Sequence, residues 1–177
     1  MVGRLLVATA VAFWLTLPAA AAELDPVSVN NADYQTPKSR SDGAINSFVL
    51  KAQVLLDRAR FSPGEIDGKL GENAQKALKA FAEAKGLSVS EPLTQDVWKV
   101  LAATSSDDAV TQYKITNDDV KGPFLEKLPA KMEDMKTLDA LSFTSAREAI
   151  AEKFHMSEEL LRALNPGKKF DQHAVPF

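Results

Sequence analysis

The chain has 177 residues, with 21 Lys and Arg against 24 Asp and Glu, two His and no Cys. Without cysteine there is no thiolate nucleophile, no disulfide framework and no cysteine-ligated zinc or iron–sulfur centre. The near-neutral balance, a formal −3, argues against a nucleic-acid binder with its basic face, and the two histidines, His155 and His173, cannot supply a three-histidine metal site.

The first segment reads as an export signal. Met1 to Arg4 carries one positive charge, Leu5 to Leu17 is an apolar run, and Pro18 is followed by four alanines before Glu23. The run of about 13 residues is short of the roughly 20 that a membrane-spanning helix needs. Cleavage near Ala22 leaves 20 basic and 24 acidic residues, a net charge of −4. The mature protein is then expected outside the cytoplasm, whether secreted, periplasmic or associated with the cell wall, with no membrane span. Lacking cysteine, it must be held together by packing alone.

From 23 to 43 the residues are mostly polar, with Pro26, Pro37 and Ser39-Arg40-Ser41, and they read as a flexible leader. Three helical patterns follow within 44–103. Ile45, Phe48, Val49, Ala52, Leu55, Leu56 and Ala59 make an apolar stripe, with Ser41 or Asp42 as the expected cap. A second helix is expected from about Glu72 to Lys85, with Ala74, Ala77, Leu78 and Phe81 inward and Gly86 as a left-handed stop. The third is short, capped by Thr94, with Val97, Trp98 and Leu101 inward. Between the first two runs Phe61-Ser62-Pro63-Gly64-Glu65-Ile66-Asp67-Gly68-Lys69-Leu70-Gly71. Pro63-Gly64 and Asp67-Gly68 predict turns, and Gly71 predicts a sharp bend into the second helix.

A polar linker at 104–111 separates this from 112–177. There Gln112 to Thr116 alternates and predicts a short strand, and Gly122-Pro123 and Leu128-Pro129 make 121–137 irregular, with a short turn of helix. Ser145-Ala146-Arg147-Glu148 predicts a capping box at the start of a helix whose stripe is Ala146, Ala149, Ile150 and Phe154. Ser157 caps a second helix with Leu160, Leu161 and Leu164 inward, stopped by Asn165-Pro166-Gly167.

The loop Gly64 to Gly71, with Gln53, Leu56, Ala77, Phe81, Gly86-Leu87, Leu93 and Trp98, resembles the peptidoglycan-binding-like domain, a three-helix module of bacterial cell-wall proteins. Tyr113, Phe154-His155-Met156-Ser157, Leu160-Leu161 and Leu164-Asn165-Pro166 resemble a LysM-type module, with only Ala174-Val175-Pro176-Phe177 where that family closes on a second strand, which leaves a fragment and a shortened product as the two alternatives. The two resemblances imply a mainly α fold, a three-helix bundle plus a small α+β LysM-like segment. They imply noncovalent binding of peptidoglycan, through glycan strands or stem peptides, with no cofactor and no metal.

The candidate contacts are Phe61, Asp67, Gly68, Gly71, Phe154, His155 and Asn165. Each has a structural alternative: turn geometry for Asp67 and the glycines, core packing for Phe61, a local helix-end bond for His155. Export signal and modules together resemble the N-terminal half of bacterial L,D-transpeptidases, whose Ser-His-Gly-Cys-type motif is absent from this sequence. The expected function is that of a noncatalytic cell-wall-binding protein, its partners peptidoglycan or a cell-wall enzyme. The alternative is the targeting half of such a transpeptidase.

Overall fold

The computed structural model describes residues 24–34, 44–88, 90–126, 143–168 and 170. The expected export signal, Leu128-Pro129 and His173 lie outside them. The described residues are mainly α-helical: α1 (Pro26–Asn30), α2 (Ser47–Arg58), α3 (Glu72–Ala84), α4 (Gln95–Ala102), α5 (Asn117–Val120), α6 (Ala146–Lys153) and α7 (Glu158–Leu164). No helix among them is long and apolar enough to cross a membrane.

Helices α2, α3 and α4 close the first core, in which Leu56, Phe81, Val97 and Leu101 are fully buried and Phe48 meets Trp98 edge-on at 4.7 Å. The expected boundaries of α3 and the expected Thr94 cap of α4 agree with the structure, Thr94 Oγ1 accepting from the Val97 amide. The start of α2 differs from expectation. Asn46 is its cap, accepting from the amides of Phe48 and Val49, so Ile45 precedes the helix and packs elsewhere. All that the capping rule needs is a short polar acceptor in extended backbone, and Asn46 supplies it closer to the apolar stripe than Ser41 or Asp42.

Helices α2, α3 and α6 end alike. The residue after the cap turns left-handed, and its amide and the next one return to carbonyls of the last turn: Arg60 to Asp57 and Phe61 to Leu56, Gly86 to Glu83 and Leu87 to Ala82, His155 to Glu152 and Met156 to Ala151. Only Gly86 announces this in the sequence, because Arg60 (φ +65°) and His155 (φ +54°) carry side chains through a region that favours glycine.

The leader expectation is corrected over 24–34. Asp25 caps α1 reciprocally with Ser28, Pro26 opens the helix, and Val29 is fully buried. Lys51 donates to the carbonyls of Asn30 and Ala32, and the Trp98 indole donates to Asp33 at 2.8 Å. One turn with Val27 outside and Val29 inside shows no helical period, so the apolar pattern conceals it.

Of the expected strand at Gln112–Thr116, the described residues show a β-bridge at Lys114 alone, with Tyr113 and Ile115 turned inward and Gln112, Lys114 and Thr116 exposed. Ile115 is buried in a second core with Val120, Ile150, Ala151, Leu161 and Phe170, while Thr116 turns the chain into α5. The α6 start departs in one detail from a capping box. Ser145 Oγ accepts from the Glu148 amide as expected, whereas the Glu148 carboxylate reaches one residue further back, to the amide and hydroxyl of Thr144.

A third cluster, Val29, Leu50, Ile66 and Leu160 with Ile45, Val110 and Met156 around them, lies between the other two and draws on both halves of the chain. At its edge Ile66 pairs in parallel with Met156: the Ile66 amide donates to His155 O at 2.8 Å, and Ile66 O accepts from the Ser157 amide at 2.9 Å. The 104–111 connection lies against the same body. The Asn30 side-chain amide matches the donor and acceptor of Val110 at 2.8 and 2.9 Å, and Arg58 donates to the carbonyls of Asp107 and Asp108.

Two backbone predictions follow from the loop and the helix ends. Gly68→Val places a β-branched residue at φ +71° with its Cβ 2.6 Å from Ile45 Cγ2, and it is expected to lower stability in urea by more than about 2 kcal/mol. Arg60→Gly, at an exposed left-handed position, is expected to raise stability by up to about 1 kcal/mol, relief of strain outweighing the added freedom of the unfolded chain.

Candidate ligand groove and the joint between the halves

The residues expected to contact a ligand are not gathered into one site: the parallel Ile66–Met156 pairing joins the bundle loop to the α6–α7 corner, but Asp67 and Gly68 follow Ile66 while His155 precedes Met156. Around this joint Lys69 meets Glu159 at 2.7 Å, which holds the Lys69 ammonium above its ordinary range. His155 Nδ1 lies 3.2 Å from Asp57 Oδ2.

Several of these side chains are engaged in the fold. Asp67 Oδ1 accepts from Gln53 Nε2 and from the Lys69 amide, and the Gln53 carbonyl oxygen accepts from the amides of Asp67 and Gly68. Gln53, only 2% exposed, thus serves as a buried surrogate backbone for the loop. Phe61 stacks edge-on against Phe81 at 5.4 Å, and Phe154 against Tyr113 at 5.0 Å. Asn165 closes α7, its side-chain amide donating to Leu161 O. Gly71 takes φ −75° and ψ 178°, ordinary extended backbone with open space where a Cβ would stand. The sharp bend expected there is therefore not made by a glycine-only conformation.

A different concavity lies in the second half, a groove of about 450 Å³ between the α5–Phe124 segment and α6. Among the described residues its apolar lining includes buried Ile150, half-buried Phe124 and exposed Pro123 and Phe143, the last 36% exposed. Its polar lining includes exposed Asp118, Glu152 and Lys153. None of these is among the candidate contacts that the sequence marks. The available signals are Gly122-Pro123-Phe124 as a turn bearing an aromatic, and an isolated Phe143 just ahead of the α6 cap.

One wall is fixed by a charged network. Asp119 accepts from Lys153 Nζ at 2.7 Å, from the Tyr113 hydroxyl at 2.9 Å, and from the amide and hydroxyl of Thr116 at 2.7 and 2.8 Å. Lys153 also donates to the Tyr113 oxygen at 2.6 Å and lies over its ring. Burial pushes the Asp119 carboxyl up, but the hydrogen bonds from Lys153, Thr116 and Tyr113 outweigh it and hold the group well below the ordinary carboxylate range. The Asp119 carboxylate correspondingly holds Lys153 above its usual range. Both groups are charged at neutral pH and suit a rigid wall better than proton transfer. Among the described residues no group of three His, Asp or Glu is placed to hold a metal ion.

No family model matches the chain, and no curated protein matches it either.

The Asp119 network carries a pH prediction. A carboxyl lowered by folding contributes stability that is complete above its unfolded pKa of about 4 and is lost as pH falls from there toward the folded value. Asp119→Asn is expected to lower the melting temperature at pH 7 and to flatten the further decline between pH 5 and pH 3. An equally steep acid decline in the variant would assign it to other carboxylates.

Proposed function

We propose that the chain is an exported, noncatalytic peptidoglycan-binding protein, with a peptidoglycan-binding-like bundle in its first half and a LysM-like module in its second. The observation that carries the reading is the groove beside α6. An aliphatic and aromatic lining bordered by exposed carboxylates, on a wall stiffened by Asp119 and Lys153, suits shallow recognition of an amphipathic repeating polymer. The motif residues that resemble the two families support the polymer's identity. The Ile66–Met156 pairing supports a single rigid unit that presents the groove in one orientation. Individual contacts of this kind are weak, and a polymer offering many copies of the same unit raises retention through multivalency.

The test is cosedimentation of the chain from Glu23 to Phe177 with purified peptidoglycan, alongside Phe143→Ala. The unaltered chain is expected to pellet. The variant, folded by circular dichroism, is expected to bind about tenfold more weakly, a loss of about 1.4 kcal/mol. A folded, unaltered chain that stays in the supernatant would overturn the reading and direct attention to a protein partner.

A further inference from the structure

The groove also carries an unbalanced charge. Its lining includes three carboxylates, Asp118, Asp119 and Glu152, and one ammonium, Lys153. Lys153 is already committed to Asp119 and Tyr113, and Asp118 holds the exposed Lys121 at 2.8 Å. Glu152 is exposed and has no ion pair among the described residues. Beside it lie the apolar surfaces of Phe124, Phe143 and Ile150.

We propose that this groove binds an aliphatic chain ending in a primary ammonium, the free side-chain amine of a diamino acid in the peptidoglycan stem peptide. The inference rests on the peptidoglycan reading and names the unit within it. The apolar lining removes the aliphatic stem from water, as lysine-like chains are buried up to their charged head. The ammonium then meets Glu152, where a charge-assisted hydrogen bond forms, and the aromatic faces of Phe124 and Phe143 add a favourable cation–π contribution. A neutral sugar makes no use of the excess carboxylate, and a ligand carboxylate is repelled by it. Acylation of the amine, as in a cross-link, removes the charge and adds an amide that needs new partners. The groove therefore favours strands whose amines are free.

The test compares binding of the chain from Glu23 to Phe177 to untreated peptidoglycan and to peptidoglycan whose amines have been acetylated with acetic anhydride, at pH 7, alongside Glu152→Gln. Acetylation is expected to weaken binding of the unaltered chain about tenfold, the scale of one charge-assisted hydrogen bond. Glu152→Gln is expected to bind both preparations equally weakly while melting at the same temperature as the unaltered chain. Nα-acetyl-lysine amide is expected to compete, and N-acetylglucosamine oligomers are not. Binding that is indifferent to acetylation overturns this inference and leaves the peptidoglycan reading standing. Failure of the folded chain to bind untreated peptidoglycan overturns both.

Discussion

The amide and carbonyl of Ile66 face the α6–α7 corner, and the arrangement of the two halves depends on that pairing. Two hydrogen bonds, each worth about 1 kcal/mol net, are too few to hold the halves together. Burial of Val29, Leu50, Ile66 and Leu160, at about 1.5 to 3 kcal/mol per side chain, supplies the larger part. The hydrogen bonds select the register at which that burial occurs, since a shifted pairing leaves two buried main-chain groups without partners. Apolar contact therefore provides the cohesion and the Ile66 pairing the geometry.

The same division of labour recurs where side chains act as surrogate backbone. Gln53 offers one carbonyl oxygen to two loop amides and its amino group to Asp67 and Lys69, and Asn30 matches the donor and acceptor of Val110. Primary amides suit these positions because each carries a donor and an acceptor in one plane. They allow irregular stretches, the loop 61–71 and the connection 104–111, to lie against packed helices with their polar groups satisfied. The joint and the groove are in turn linked through α6. Its carboxy-terminal corner meets Ile66, while its residues Ile150, Glu152 and Lys153 line the groove.

The sequence was most legible where local chemistry and apolar period agree. Thr94, Ser145 and Ser157 cap the helices expected of them, Gly86 ends α3 as glycine does, and the mainly helical character follows from the stripes of α2, α3 and α4. Legibility failed where a tertiary partner decides the local structure. Helix α1 has too few residues for a period and is fixed by Lys51 and Trp98, distant in sequence. At Gln112–Thr116 the alternation is real, Tyr113 and Ile115 packing on the second core while Gln112, Lys114 and Thr116 stay exposed, yet within this stretch only Lys114 makes a β-bridge among the described residues. The groove was invisible because it is built by residues from two separated segments whose proximity no spacing rule encodes. The left-handed turns at Arg60 and His155 were hidden for a related reason: the returning hydrogen bonds and the packing beyond them override the residues' own preference.

The hydrogen bond from the Trp98 indole to Asp33 has an optical consequence. The sequence holds two tryptophans, Trp14 and Trp98, so a chain beginning at Glu23 keeps Trp98 as its sole indole. That indole meets Phe48 edge-on in the bundle core, lies under the Lys51 ammonium and donates to a carboxylate just beyond α1. Its emission thus reports directly on the attachment of the amino-terminal segment to the bundle, and release of that segment would be seen as a change in the polarity around one ring without any introduced label.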